Sequence, residues 1–387
     1  MANHVIKKFD RIVMLLQGGG ALGSYQVGIF KGLHDAGYTP NWIISTSIGA
    51  INSAIIAGNK PDDRVKKLQE FWHTISTKTL PVPDELNNIL LERFQHFLSA
   101  KCTEWIGQPG FFSPRPVSPW LSIESTADQL SYYDTEELRE TLLRFINFDL
   151  INEKKIRLSM GAVRIATGNL VYFDNSKMEI KPEHVMASGA LPPGFPAVRI
   201  DNQLFWDGGV HSNTQIHLLF EEDEPISTLC FMVNLFDSYG KRPTNMDDVI
   251  KRQKDISYSS HHRQLIQTHQ YMHNLRHAIS VLGKHIPEEQ KENSKIKKLI
   301  ELGSSGIIHL ARFHYKGKRS DLSSKDYEFS LPSILDHFDA GYADVERALR
   351  EPLWYQPFDD TTGLIVHELS DNPTADDFPF DINLYER

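Results

Sequence analysis

Three short stretches of this chain combine reactive side chains with neighbours small enough to expose them. They are Gly18-Gly19-Gly20-Ala21-Leu22-Gly23, Ser45-Thr46-Ser47-Ile48-Gly49 and Asp207-Gly208-Gly209. Ser47 follows the apolar run Trp42-Ile43-Ile44 and precedes an Ala- and Ile-rich run that Gly58 stops. That pattern is a strand turning sharply into a helix through a serine, a nucleophile elbow. Ser45 and Gly49 flank the serine because strand and helix backbones nearly touch at such a turn. The turn lifts the serine oxygen above the sheet edge, and the helix N-terminus places positive potential beneath it. The usual pattern is Gly-x-Ser-x-Gly, and Ser45 stands at its first glycine. Small residues also occur at strand–helix turns that do no chemistry, so the elbow needs partners.

The glycine loop follows a buried-strand pattern from Arg11 to Gln17 and precedes a helix expected from about Ser24 to Ala36, with Gly37 as its left-handed stop. Gly18, Gly20 and Gly23 also have the spacing of a dinucleotide fingerprint. That reading requires an acidic residue at the end of the next strand, roughly twenty residues on, to hold a ribose. The next strand ends in Ser45-Thr46-Ser47 and offers none. The other use of such a loop is an oxyanion hole. Consecutive glycines free their amides to point into a site, so Gly19 and Gly20 could stabilise charge developing on a carbonyl attacked by Ser47. In the third stretch, Asp207 ends the strand Gln203-Leu204-Phe205-Trp206, where two glycines leave its carboxylate little steric cover; Asp-Gly is also a common plain turn.

Composition narrows the classes. The chain has 387 residues, 40% hydrophobic and 24% charged, with a net charge of -9. That suits a globular enzyme of one large α/β domain with additions, or of two domains, and excludes a broad basic footprint for nucleic acid. Cys102 and Cys230 are the two cysteines, which make no disulfide framework and no zinc cluster. Ile12 to Leu16 is too short for a signal-peptide core, and no run of about twenty apolar residues offers a membrane span. The expectation is a cytoplasmic protein whose contact with membrane, if any, is peripheral.

Other elements must position these groups. Asp62–Ile75 and Asp84–Ser99 read as helices, the second with Leu86, Ile89, Leu90, Phe94 and Phe97 on one side. The proline-broken loop 108–120 carries Phe111, Phe112 and Trp120, suited to a lid or lipid contact, or more simply to a loop pinned to the core. Arg157–Phe173 reads as a hairpin turning at Thr167-Gly168-Asn169, Leu191–Pro196 as a rigid pocket wall, and Ile226–Phe236 as a core strand. Met246–Leu282 reads as long charged helices. His269, His273 and His277 fall on one face there without a carboxylate at ligand spacing, so a packed or solvated face is expected rather than a metal site. The acidic, proline-punctuated end from Glu351 reads as wrapping the surface.

Together, the three stretches resemble, in order, the three blocks of the patatin-like phospholipase family. Gly49-Ala50-Ile51-Asn52 and Ala187-Ser188-Gly189-Ala190-Leu191-Pro192 are also similar to it, and the resemblance runs over roughly residues 9–236. Residues 237–387 look like the mainly helical C-terminal extension of a bacterial branch, with 60–130 as a lid or insertion. The resemblance implies a three-layer α/β fold around a mostly parallel sheet, and hydrolysis of lipid acyl esters by a Ser–Asp dyad. Ser47 would be the nucleophile, Asp207 the base, and Gly18, Gly19 and Gly20 the oxyanion hole. Gly23, Ser45, Gly49, Gly208 and Gly209 would support the motifs. No cofactor and no metal enter this scheme; the partner is a lipid or lipid-like ester.

Two departures bear on substrate: Ser45 at the elbow, and Leu22 where the family often carries a cation suited to a phosphate-bearing lipid. Gln215 stands where the family often has proline. Three rivals remain beside the dyad: a histidine-using hydrolase with His211, a non-catalytic lipid-binding or scaffolding protein, and an acyltransferase.

Overall fold

The alternation of apolar residues along the central strands decides the layering. In the computed structural model, which describes residues 9–77, 89–121, 125–221, 225–318, 320–359 and 361–369, strand β1 (Arg11–Leu16) splits its side chains between two cores. Ile12, Met14 and Leu16 enter the larger core, while Val13 and Leu15 enter the smaller one on the opposite face. The same division runs through β2 (Trp42–Ser45), with Ile43 against Trp42 and Ile44.

Between these strands lies α1 (Ser24–Asp35), which ends at Gly37 with φ 86°, the left-handed stop that the sequence predicts. After β2 come α2 (Ile48–Ala57), α3 (Arg64–Thr74), α4 (Ile89–Ile106) and the small β3 (Ser113–Pro114) and β4 (Tyr133–Asp134) pair. Next are α5 (Glu136–Phe145), α6 (Phe148–Asn152), the hairpin of β5 (Arg157–Arg164) and β6 (Leu170–Asp174), and α7 (Pro182–Ser188). β7 (Val198–Ile200), β8 (Gln203–Asp207), α8 (Leu218–Glu221) and β9 (Ser227–Asn234) complete the part with the three motifs. Then follow α9 (Met246–Lys284), α10 (Glu288–Lys291), α11 (Ser294–Ile300), β10 (Ile307–His314), α12 (Leu331–Arg350) and β11 (Leu364–Glu368).

Nine of these strands form one sheet. From one edge it runs β11, β10, β9, β1, β2 and β5, all parallel, and then turns antiparallel through β6, β8 and β7. Side chains of α1, α2, α3 and α12 fill the larger core; Ile216, Leu218, Leu219 and Ile266 cover the other face. The fold is thus the three-layer α/β architecture expected.

Three elements depart from the sequence reading. The segment beyond residue 237 is helical for the most part, but it also supplies β10 and β11 to the main sheet. In Ile307–His314, polar His309 and Arg312 interrupt the apolar run, which hides a strand buried on both faces. On α4, Phe94 and Phe97 are exposed, at 56% and 48%, rather than packed inward. Leu86 and the side chains of Ile89 and Leu90 lie outside the described residues, as does the tail 370–387. Within the loop 108–120, Phe111 and Phe112 are buried in an aromatic cluster with Phe195 and Phe329, whereas Trp120 is exposed.

The late segment is not a separable cap. Helix α12 crosses α1 so closely that a Cβ on Gly28 would stand 2.0 Å from the Phe338 carbonyl oxygen, and one on Gly341 would stand 2.3 Å from that of Tyr25. Two glycines facing each other let the helix backbones touch. Gly341→Ala is expected to force the helices apart and cost about 1–3 kcal/mol, as overpacking does. Urea denaturation of the variant against wild type checks this, and equal midpoints would contradict the contact.

Candidate active site

Ser47 is the first residue after β2 and Thr46, and it adopts φ 59°, ψ -127°, a conformation that side chains rarely take. Its surroundings enforce that geometry. The Ser47 amide donates to the Ser188 carbonyl at 3.0 Å and to Ser188 Oγ at 3.2 Å, while Ser188 Oγ donates to the Gly161 carbonyl at 2.7 Å. On the helix side, the Ala50 amide donates to the Ser47 carbonyl at 2.8 Å, so Ser47 caps α2. A Cβ on Gly49 would lie 2.6 Å from the Leu16 carbonyl oxygen, which accounts for glycine there. Ser45 is tolerated at the first elbow position because its hydroxyl is buried and shares a 2.7 Å hydrogen bond with Ser53.

The register of β5 brings the aspartate to the serine. Strand β2 pairs with Arg157–Met160, and β8 pairs with Ala162–Arg164. Since β6 occupies the opposite edge over Ser159–Val163, β2 and β8 share one edge of β5 and meet head to head. β2 stops at Ser45 opposite Met160, and β8 stops at Asp207 opposite Ala162. The two residues that leave these strand ends face each other.

Asp207 is 1% exposed. The Gly209 amide donates to its Oδ1 at 2.6 Å, and the Asp207 amide is fixed on the Ala190 carbonyl at 2.9 Å. Burial pushes the carboxyl up from 3.8 to about 7, against the lowering effects of the Ser47 hydroxyl and the Gly209 amide. Its second oxygen, Oδ2, is buried without a hydrogen bond of normal geometry, so the serine hydroxyl approaches the carboxylate without closing an aligned bond.

The glycine loop closes the site from the β1 side. Asn213 holds Gly18 through both backbone groups: its Nδ2 donates to the Gly18 carbonyl at 2.8 Å, and its carbonyl accepts from the Gly18 amide at 3.3 Å. The Gly18 amide is therefore spent on the scaffold. Gly19 and Gly20 line a cavity of about 340 Å³ together with Ser47, Asp207 and Gly209. Gly23 packs against Ile48, and Gly208 against the Gly161 carbonyl, both closer than a side chain allows. Leu22 is fully buried in the larger core, so this position does not reach the cavity.

Residues 191–195 form a cavity wall, as the sequence predicts for that loop. His211 is exposed and does not line the cavity, and no histidine does so among the described residues. His269 stacks on Phe220 at 4.5 Å and His273 bonds the Gly306 carbonyl at 3.0 Å, a packed helix face. Gln215 sits beneath the elbow, donating to Thr46 Oγ1 at 3.2 Å and to the Ser212 carbonyl at 2.6 Å.

Sequence reasoning missed several contributors. The buried Gln17 accepts from the Leu235 amide at 2.6 Å and donates to the Tyr258 carbonyl at 3.1 Å, tying the glycine loop to β9 and α9. Tyr258, Asp326 and Tyr327 also line the cavity, from more than two hundred residues downstream of the elbow. No local motif marks them; their placement depends on a distant helix and turn.

The pH dependence of stability follows from Asp207. The native carboxyl holds its proton up to about 7, whereas the unfolded chain releases it near the ordinary 3.8. Ionisation thus disfavours the native state, and the stability present below the unfolded value is lost as pH rises through about 7. Asp207→Asn removes that loss. The variant is expected to gain on wild type between pH 4.5 and 8, by up to roughly 4 kcal/mol. Urea melts at both pH values measure the gap, and a gap independent of pH would contradict the burial of this charge.

A family model described as patatin-like phospholipase matches residues 14–220, and one described as patatin phospholipase matches residues 256–361. A patatin-like phospholipase domain-containing protein of Coccidioides immitis (strain RS) is 38% identical over 74 residues, 19% of this chain. The match spans only 10% of that protein's length. Among solved structures, VipD from Legionella pneumophila is similar with 13% identity and a TM-score of 0.32, over 86% of this chain and 67% of that one. ExoU from Pseudomonas aeruginosa, solved in complex with SpcU, is similar with 12% identity and a TM-score of 0.28, over 91% and 75% of the two chains.

Proposed function

The chain belongs to the patatin-like phospholipase family, and from that premise we propose that it is a serine esterase that cleaves carboxylic esters of lipids through a Ser47–Asp207 dyad. The observation that carries this reading is the meeting of β2 and β8 on one edge of β5, which sets a strained serine against a buried carboxyl. Asp207, with a pKa near 7, is matched to proton transfer at neutral pH.

In the proposed cycle, Ser47 Oγ attacks the ester carbonyl while Asp207 takes its proton. The amides of Gly19 and Gly20 stabilise the oxyanion, with Gly18 holding the loop rather than donating. Collapse breaks the bond to the alcohol, which leaves with the proton from Asp207, and the acyl group stays on Ser47. Water then attacks the acyl-enzyme as Asp207 takes its proton, and breakdown returns that proton to Ser47 and frees the fatty acid. The apolar cavity walls suit an acyl chain.

Among the described residues no helix is long and apolar enough to cross a membrane. Contact with lipid would then be peripheral. Trp105 and Ile106, exposed at 81% and 73%, follow the cavity residues Thr103 and Glu104 on α4 and suit that contact. Trp105→Ala is expected to lower co-sedimentation with phosphatidylcholine vesicles; unchanged binding would place the contact elsewhere.

Hydrolysis of p-nitrophenyl butyrate tests the dyad. Ser47→Ala and Asp207→Asn are each expected to lower kcat/KM by roughly 10³-fold or more, while folded by circular dichroism. His211→Ala should stay within about twofold of wild type. For wild type, kcat/KM should rise with pH and level off above about 7, as Asp207 ionises. Full activity in either dyad variant would overturn the assignment.

A further inference from the structure

The cavity has two chemically unlike sides. Around α2, α5 and α7 it presents hydrocarbon, from Ile48, Ile51, Leu138 and Met186. The other side comes from α4, α9 and the single turn Lys325–Tyr327, and carries Glu104, Tyr258, Asp326 and Tyr327. That turn is held in place by a crossed pair of ion pairs with α9: Lys254 to Asp326 at 2.5 Å and Lys325 to Asp255 at 2.7 Å. It presses directly on the glycine loop. Gly20 has φ 56°, and a Cβ on it would stand 2.2 Å from the Asp326 carbonyl oxygen.

Tyr258 and Tyr327 bring phenol groups into this side, and among the described residues neither hydroxyl has a hydrogen-bond partner. Burial, then the charges of Asp326 and Asp207, raise the Tyr258 hydroxyl above its ordinary value, so it remains a donor at neutral pH. Tyr258 therefore lies within electrostatic reach of both the dyad aspartate and the buried Asp326. Burial and Asp326 likewise keep Tyr327 protonated. Glu104 is paired with Lys101 at 2.6 Å, and among the described residues no lysine, arginine or histidine lines the cavity.

We propose that this polar side is the subsite for the leaving alcohol, that Tyr258 is its specificity-determining residue, and that it takes an uncharged, hydroxyl-bearing alcohol of the glyceryl type in preference to a phosphate ester. Free phenol donors beside carboxyl acceptors match hydroxyl groups, which both give and accept hydrogen bonds. A phosphate would find no cation lining the cavity to meet it, because Lys254 and Lys101 are already spent on Asp326 and Glu104. The acyl chain then lies along the hydrocarbon side, across Ser47. Tyr258, Asp326 and Tyr327 all fall in the 256–361 segment, which makes that segment a specificity element rather than an outer layer. The inference rests on the serine-esterase reading.

The test compares 1-monooleoylglycerol with 1-oleoyl lysophosphatidate and 1-oleoyl lysophosphatidylcholine in identical mixed micelles, using full-length wild type, Tyr258→Phe and Tyr327→Phe, with Ser47→Ala as background. Wild type should favour the glyceryl ester by about tenfold or more in kcat/KM. Tyr258→Phe should bring that ratio down by about tenfold, through loss on the glyceryl ester, and Tyr327→Phe should shift it the same way. Equal or faster cleavage of the phosphate ester by wild type overturns the proposal, as does a ratio unchanged in both variants. Preference for a choline-bearing lysophospholipid over both also overturns it, by assigning the side to a cationic head group. Ser47-dependent turnover of p-nitrophenyl butyrate with none of the lipids cleaved sinks the subsite but leaves the esterase standing. Absence of p-nitrophenyl turnover sinks the underlying reading as well.

Discussion

Everything at the site depends on two strands ending against each other on one edge of β5. A strand edge offers one continuous row of amides and carbonyls, so two strands can share it only by meeting end to end. β2 arrives parallel and stops at Ser45; β8 arrives antiparallel and stops at Asp207. Neither chain can continue straight, and each leaves the sheet through small residues. The sharp turn at Ser47 and the Gly208-Gly209 exit are two answers to the same steric problem. The juxtaposition of a hydroxyl and a carboxyl is thus a product of sheet register, before any contact between the two side chains.

That arrangement is costly to hold. A serine in a conformation with positive φ stores about 1–3 kcal/mol, and the buried Asp207 charge adds to the burden above neutral pH. Fully burying one large apolar side chain contributes about 1.5–3 kcal/mol, so a few core residues offset the strain. The strained residues are accordingly braced by the middle of the sheet. β1 lies at the centre of the sheet, and the loop beyond it is tied through Gln17 and Asn213 to β9, α9 and the segment after β8.

Legibility in the sequence followed the range of the interactions. Ser47, Gly49, the glycine loop and Asp207 could be read because each is specified by its neighbours: a strand, a tight turn and residues small enough to permit it. The alternation in β1, β2 and β9 was equally local. Ser45 was visible as a departure, yet its partner Ser53 shows itself only once α2 is wound beside β2. The strand at Ile307–His314 was hidden because its polar residues find partners in the fold, His309 with His367 at 2.9 Å and Arg312 with Glu368. Leu22 could be compared with a family pattern, but its burial in the core depends on the path of the loop.

The late segment shows why a motif-bounded domain is an incomplete description of the site. β10 and β11 extend the sheet beyond β9, and α12 closes on α1 at glycine-to-glycine contact. Asn274 of α9 accepts from the Gly363 and Leu364 amides at 3.0 and 2.8 Å, which ties α9 to β11, and the ion pairs of α9 hold the Lys325–Tyr327 turn. The turn in turn sets the limit of the glycine loop, since the Asp326 carbonyl occupies the space a Gly20 side chain would need. Gly20 is therefore constrained from two directions, by the left-handed backbone of its own loop and by a residue three hundred positions away. A change in the late segment that shifts this turn acts on the loop beside Ser47 through backbone contact alone, without altering any residue of the three motifs.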